Sequence, residues 1–232
     1  VDGQNLLTEE AFTSTLDTMR SFAHMCKIYQ ADKTIAVATA AIRNASNGPE
    51  LVAKVAEQTG IQLHIISGKT EAYISYLGVI NTLDVKNGII FDLGGGSTEL
   101  ILFKNRKILE SVSLPLGAVN TTGMFNTRNE MPPNVYNDLN AFIMSRLAQY
   151  PWLKQSNLPL IGVGGTARTV AKIIQRAKKY PATKIHNYSY PIQTFRSFFN
   201  KLCLTNLEQR KKISGLSTER SDIILAGSSI IS

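Results

Sequence analysis

Three glycines, Gly94, Gly95 and Gly96, are followed by Ser97 and Thr98, and the whole run is bracketed by Asp92 and Glu99. Residues of these types in this order suit a phosphate. Glycine lets backbone N–H groups approach an anion closely, two hydroxyls add donors, and two carboxylates at the rim offer hard oxygen ligands to a divalent cation. A second run, Val163-Gly164-Gly165-Thr166, repeats the theme without the acids. There the glycines open a helix, whose N-terminal N–H groups attract anions, and Thr166 is placed to serve as its N-cap.

The flanking elements decide which kind of phosphate site the first run makes. In a P-loop or a dinucleotide-binding turn a helix follows the glycines. Here Leu100 to Phe103 is a short apolar strand that reaches Asn105-Arg106-Lys107, and Ile108 to Leu114 resumes a strand pattern. The glycines therefore join two hairpin strands, and the P-loop lysine is missing. An unliganded Gly-rich hairpin turn is the plainer alternative for the first run, and tight strand-to-helix packing is the alternative for the second. Two such turns in one lobe suggest that they face each other across one cleft.

Upstream, Phe12, Leu16, Met19, Phe22 and Cys26 recur at helical spacing within 8–29, with Thr8 as N-cap. A strand over 33–42, a helix over 49–59 ended by Gly60, and a strand over 61–66 follow, an alternation that implies a parallel sheet. A helix over 69–83 leads to the three-strand hairpin system that starts at 89. Met131-Pro132-Pro133 introduces a helix through Leu147, 158–163 is a strand, and 164–177 is a helix. From Pro191 onward the pattern is helical, closing with a helix over 219–231. Both chain ends read as cut: Val1 to Asn5 leads straight into a helix, and Ile231-Ser232 stops inside an apolar one.

At 232 residues the chain is long enough for a sizeable core and for two lobes. No apolar run approaches the roughly 20 residues of a membrane span, and the N-terminus has no basic-then-apolar leader, so a cytoplasmic protein with no membrane partner is expected. Cys26 and Cys203 stand alone, away from metal or redox spacing, and read as buried inert thiols. The formal net charge is +8, and 168–212 holds eleven basic residues against one acid, Glu208. That stretch should prefer a polyanion. Aromatic interleaving is thin and no nucleic-acid motif is present, so a long phosphate chain suits the field better than nucleic acid.

Five segments, in order, then carry a resemblance: Ala38-Thr39-Ala40-Ala41-Ile42-Arg43-Asn44-Ala45-Ser46-Asn47, Ile66-Ser67-Gly68-Lys69-Thr70-Glu71-Ala72, Phe91 to Glu99, Gly162 to Ala167, and Gly215-Leu216-Ser217-Thr218-Glu219-Arg220. Together they resemble the exopolyphosphatase and guanosine pentaphosphate phosphatase family, over nearly the whole chain. The resemblance implies an α/β fold of two ribonuclease-H-like lobes of the actin, sugar-kinase and heat-shock chaperone superfamily, with a phosphate cleft between them. Residues 1–72 would be an incomplete first lobe and 73–232 the second. The family's Asp-x-Gly-Ser-Asn-Ser turn would precede Val1. No His-Asp pair occurs, which fits the short two-domain form.

Roles follow from the resemblance. Glu71 matches the family's catalytic glutamate and would be the base, although Thr70 stands where many relatives have a second acid. Gly94, Gly95, Gly96, Ser97 and Thr98 would hold the terminal phosphate, Gly164, Gly165 and Thr166 an adjacent one, and Arg43 and Arg220 would add positive charge. Asp92 and Glu99 would hold Mg²⁺, directly or through water. The histidines lack metal spacing, and none lies near Ser97 to activate it as a nucleophile. The expected activity is Mg²⁺-dependent release of terminal orthophosphate from inorganic polyphosphate, with guanosine pentaphosphate of the stringent response as the runner-up substrate and a homodimer as the assembly to test for. A small-molecule kinase of the same superfamily and a non-catalytic alarmone or polyphosphate sensor remain as alternatives.

Overall fold

The computed structural model describes residues 6–154, 157–179, 181 and 184–232. The opening run of Val1 to Asn5, read from sequence as a cut end, lies outside them. The chain forms two compact units, Val1–Glu71 and Ala72–Ser232.

In the first unit, helix α1 (Glu9–Ile28) starts where Thr8 Oγ1 accepts from the Ala11 amide at 3.2 Å, with Glu9 and Glu10 in the favourable first turn. Strand β1 (Ala36–Ala38) pairs in parallel with β2 (Leu63–Ile65), joined through the single helical turn α2 (Ala40–Arg43) and helix α3 (Gly48–Thr59). Gly60 ends α3 at φ 73°, a left-handed cap that glycine adopts without strain. Leu16 and Met19 of α1 pack on Leu51 and Val55 of α3 and on Ala38 and Leu63 of the strands. The expected strand over 33–42 shrinks to three residues because the chain turns helical at Ala40, where two of the last four residues, Ala40 and Ala41, have little β preference.

Helix α4 (Gly68–Thr82) begins in the first unit and runs into the second. There β3 (Gly88–Leu93), β4 (Thr98–Lys104) and β5 (Lys107–Leu114) form an antiparallel meander, and β6 (Leu160–Val163) adds in parallel to β3, giving the order β5-β4-β3-β6. The β4–β5 turn is made by Asn105 and Arg106 at φ 50° and 57°, the twist-compatible geometry usually reserved for Asn-Gly. Side chains alternate across the sheet. Ile90, Ile101 and Phe103 face Ala72, Tyr76 and Val79 of α4, while Leu100, Leu114 and Leu116 form a separate cluster with Phe142 and Trp152.

Helices α5 (Ala118–Phe125), α6 (Pro133–Leu147), α7 (Gly164–Ala177), α8 (Ile192–Cys203), the short α9 (Leu207–Lys211) and α10 (Ile224–Ile231) complete the unit. Leu139, Ile143, Val170, Ile174, Phe195 and Leu225 are central to their shared core. The helix expected over 219–231 starts only at Ile224, after a 3-10 turn at Thr218–Arg220. Both cysteines are half-buried rather than buried, and unpaired. Among the described residues no helix is long and apolar enough to cross a membrane.

Candidate active site

The first glycine turn is fixed through its carbonyls. Gly94 O accepts from the Ala118 amide at 2.9 Å, Gly95 O from the amides of Val119 at 2.9 Å and Asn120 at 3.2 Å, and Gly96 O from Asn120 Nδ2 at 3.0 Å. The N-terminus of α5 thus satisfies the turn's acceptors, and the turn in exchange satisfies helix N–H groups that have no partner within the helix. Gly94 N donates to Ser97 O at 3.0 Å. Among the described residues, the amides of Gly95, Gly96 and Ser97 and the Ser97 hydroxyl have no partner. A row of donors with its acceptors spent elsewhere is a ready site for an anion.

Two residues that the sequence reading passed over make this possible. A Cβ on Gly117 would lie 2.1 Å from Gly95 O and 2.4 Å from Gly96 N, so only glycine lets α5 come this close. Asn120 Oδ1 accepts from Gly117 N at 2.8 Å and, through Nδ2, clamps Gly96. Thr98, expected to bind substrate, is instead 2% exposed, and its hydroxyl donates to Leu116 O. It holds the segment that leads into α5 and has no proton left for a ligand.

Asp92 and Glu99 are cross-strand partners on β3 and β4. They share the α4 face of the sheet. Ser75 of α4 donates to Asp92 Oδ2, and Ser113 of β5 donates to Glu99 Oε1 at 2.7 Å. No group of three His, Cys, Asp or Glu that could hold a metal occurs among the described residues. Mg²⁺ needs only one or two carboxylates beside water and substrate oxygens, and half-buried Asp92 fits that role. Glu99 does not fit as a direct ligand. At 1% exposure it leaves no room for a hydrated ion, so it is a support beneath the site rather than the rim carboxylate expected from sequence.

The second turn sits beside the first, since β3 and β6 are adjacent parallel strands with Asp92 opposite Val163. The two turns therefore do not face each other across a cleft; they lie side by side at one end of a sheet, where parallel strands release their C-termini. Gly164 has φ 89°, and a Cβ there would meet Leu93 O at 2.7 Å and Asp92 Oδ1 at 3.0 Å. Helix α7 starts at Gly164 with Val163 as N-cap, so Thr166 lies inside the first turn and is not its cap. Thr166 is 2% exposed and packs against Gly227 of α10.

Arg220 reaches the same place. A Cβ on Gly165 would fall 2.1–2.4 Å from the Arg220 guanidinium, which therefore lies directly over the start of α7. Its loop is held from behind by Arg210, which is 0% exposed. Arg210 Nε donates to Ser221 O at 2.7 Å, Nη1 to Thr205 O at 2.7 Å and Nη2 to Arg128 O.

In the first unit, Arg43 ends α2 and Glu71 stands in the first turn of α4. Arg43 Nη1 lies 2.9 Å from both Glu71 Oε2 and Ile66 O, in a pair of which about a fifth is exposed on each side. Ser67 Oγ accepts from the Thr70 amide at 3.1 Å and so caps that first turn, where an acid is favoured by the helix dipole. Arg43, expected beside a phosphate, spends one nitrogen on holding the glutamate. Ser75, Ser113 and Arg210 escaped the sequence reading. A serine in mid-helix or mid-strand, or one arginine in a basic run, has no local signature.

A description of the Ppx/GppA phosphatase family matches residues 1–232. The chain is 30% identical over 241 residues to a bifunctional 3-dehydroquinate synthase/phosphatase of Fusobacterium nucleatum, covering 100% of this chain and 36% of that protein. It is 26% identical over 242 residues to exopolyphosphatase 2 of Mycobacterium tuberculosis, covering 100% of this chain and 75% of that one. The Aquifex aeolicus member of the Ppx/GppA family superimposes with a TM-score of 0.82 at 26% identity, over 99% of this chain and 74% of the other. An exopolyphosphatase structure from Cytophaga hutchinsonii shares the fold with a TM-score of 0.89 at 24% identity, over 98% and 75% of the two chains.

Proposed function

The chain belongs to the Ppx/GppA phosphatase family, and on that premise we propose that it acts as a Mg²⁺-dependent phosphohydrolase that releases terminal orthophosphate from inorganic polyphosphate. One observation carries the reading: the amides of Gly95, Gly96 and Ser97 have no partner among the described residues, while the carbonyls of Gly94, Gly95 and Gly96 are tied to α5 and Asn120. Donors held in place before substrate arrives stabilise charge without reorganisation, which is where phosphoryl transfer gains most. Gly164, Gly165 and the guanidinium of Arg220 would bind the adjacent phosphate.

Glu71 would orient the attacking water and take its proton on the oxygen not engaged by Arg43. Arg43 would fix the carboxylate's direction. Asp92 would hold Mg²⁺ through water, kept in position by Ser75, with Glu99 supporting from beneath. When bound, the cation would neutralise charge on the phosphate oxygens. Two facts favour polyphosphate over guanosine pentaphosphate: the basic excess over 168–212, which rewards a long chain of charges, and exopolyphosphatase relatives that match the whole length of this chain.

Orthophosphate release by the full-length protein, from polyphosphate and from guanosine pentaphosphate with Mg²⁺, tests the reading. Glu71→Gln should lower turnover by about 10²–10⁴-fold while polyphosphate binding stays near the parent value. A variant that keeps a near-parental rate would remove Glu71 from the chemistry. Faster turnover of guanosine pentaphosphate would reverse the order of substrates.

A further inference from the structure

Arg220 lies over the start of α7, yet no hydrogen bond or ion pair holds its guanidinium among the described residues. Its place is therefore set by packing on Gly165 and by its own backbone. That backbone is one 3-10 turn, Thr218–Arg220, a weakly bonded element whose first two residues are exposed. Something outside the turn has to fix it.

The fixing group is the buried Arg210. Its Nε donates at 2.7 Å to the carbonyl of Ser221, the residue next to Arg220. The other two arms of the fork end on helix termini: Nη1 donates to Thr205 O at 2.7 Å, just past α8, and Nη2 donates to Arg128 O, three residues past α5. There α5 is closed by Asn126 at φ 50°, with the Thr127 amide donating to Thr122 O at 3.2 Å. A second bond runs the same way, since Asn129 Oδ1 accepts from the Leu207 amide at the start of α9 at 3.2 Å. The loop that carries Arg220 thus hangs from α5, the helix whose first turn also holds the carbonyls of the first glycine turn. A planar guanidinium fixes three carbonyls at set angles to one another, which apolar filling of the same space does not.

We propose that Arg210 is a positioning residue for the phosphate site: it sets Arg220 over Gly165 at a fixed offset from the first glycine turn, with α5 as the reference. The inference rests on the reading that Arg220 binds a phosphate. Arg210 itself, 0% exposed, touches no ligand. A clamp that served stability alone would lower the melting temperature and leave the affinity of the folded protein unchanged. A positioning residue matters to affinity only while Arg220 is present to be positioned.

A double-mutant cycle separates the two roles. Tripolyphosphate is titrated calorimetrically into the full-length protein in EDTA, which withholds the Mg²⁺ that turnover is proposed to need. Arg220→Ala should weaken binding about tenfold or more. Arg210→Lys, which keeps the charge and loses the fork, should weaken it about fivefold or more in the parent and by less than about twofold in the Arg220→Ala protein. Melting curves check that each variant is folded. Should Arg210→Lys not melt cooperatively, the exposed Asn129→Ala takes its place in the cycle, with an expected loss of about threefold in the parent and none without Arg220. The proposal is overturned if the folded Arg210 or Asn129 variant binds tripolyphosphate like the parent, or if it loses the same factor with and without Arg220. An Arg220→Ala protein that binds like the parent would remove Arg220 from the phosphate site and overturn the proposal together with that part of the functional reading.

Discussion

Adding a single methyl group at Gly117 should disable the first glycine turn. The backbone there has φ −121° and ψ 159°, which alanine adopts freely, so Gly117→Ala introduces no conformational strain of its own. Its effect is contact alone. The new Cβ would stand 2.1 Å from Gly95 O, against a floor near 3.0 Å for real Cβ contacts, so turn and helix must part by about 0.9 Å. Amide-to-carbonyl distances of 2.9 Å at Ala118 and Val119 and 3.2 Å at Asn120 would then stretch beyond hydrogen-bond range, and the Asn120 Nδ2 clamp at 3.0 Å would follow. Four bonds at about 0.5–1.5 kcal/mol each give a loss of about 2–6 kcal/mol. For a chain of this size that lowers Tm by about 4–24 °C. The freed carbonyls also let the three amides drift, and a misplacement near 1 Å costs about 10²-fold in rate. Calorimetric melting with orthophosphate release measures both effects on one sample. Gly123→Ala is the control: it lies in the same helix with nothing within 4 Å of its Cβ, and should raise stability by up to about 1 kcal/mol. A Gly117→Ala protein with parental Tm and parental rate would refute the reasoning.

Arg210→Met removes the donor from the carbonyls of Ser221, Thr205 and Arg128 at once, and chemical denaturation should show a loss of about 3 kcal/mol or more; a smaller loss would mean that water replaces the guanidinium. Burial pushes the Cys203 thiol up to about 11 from 9.0. Alkylation of Cys203 by iodoacetamide at pH 8 should therefore run about two orders of magnitude slower than that of a free thiol, followed by mass spectrometry. Because the folded pKa is raised, the stability this thiol contributes is complete below pH 9.0 and is lost as pH climbs through about 11.

Most helices were legible because their ends carry local chemistry. Thr8 caps α1, Gly60 closes α3, and Pro133 opens α6, each through interactions within one turn of its own residue. The strand over 33–42 was read too long because Ala40 and Ala41 hold no β preference, and packing decided their fate. Thr166 illustrates a different limit. The residue type was right for an N-cap, yet the helix begins two residues earlier, because the positive φ at Gly164 starts the turn there and Thr166 then packs on Gly227. At the site, Asp92 and the glycines announce themselves by composition. What fixes them does not: Gly117 acts through Gly95, Arg220 through Gly165 and Ser75 through Asp92, all contacts between residues far apart in sequence. The nearest local hint was a glycine after Leu114-Pro115-Leu116 with an asparagine three residues on, the spacing of a helix start.

The central claim is that the free amides of the first glycine turn grip the terminal phosphate. Amide chemical shifts of ¹⁵N-labelled full-length protein carrying Glu71→Gln, titrated with tripolyphosphate and Mg²⁺, test it most directly. The amides of Gly95, Gly96 and Ser97 should move downfield together, at one shared midpoint, as they begin to donate to phosphate oxygens. Binding that leaves these three resonances in place while others shift would contradict the account.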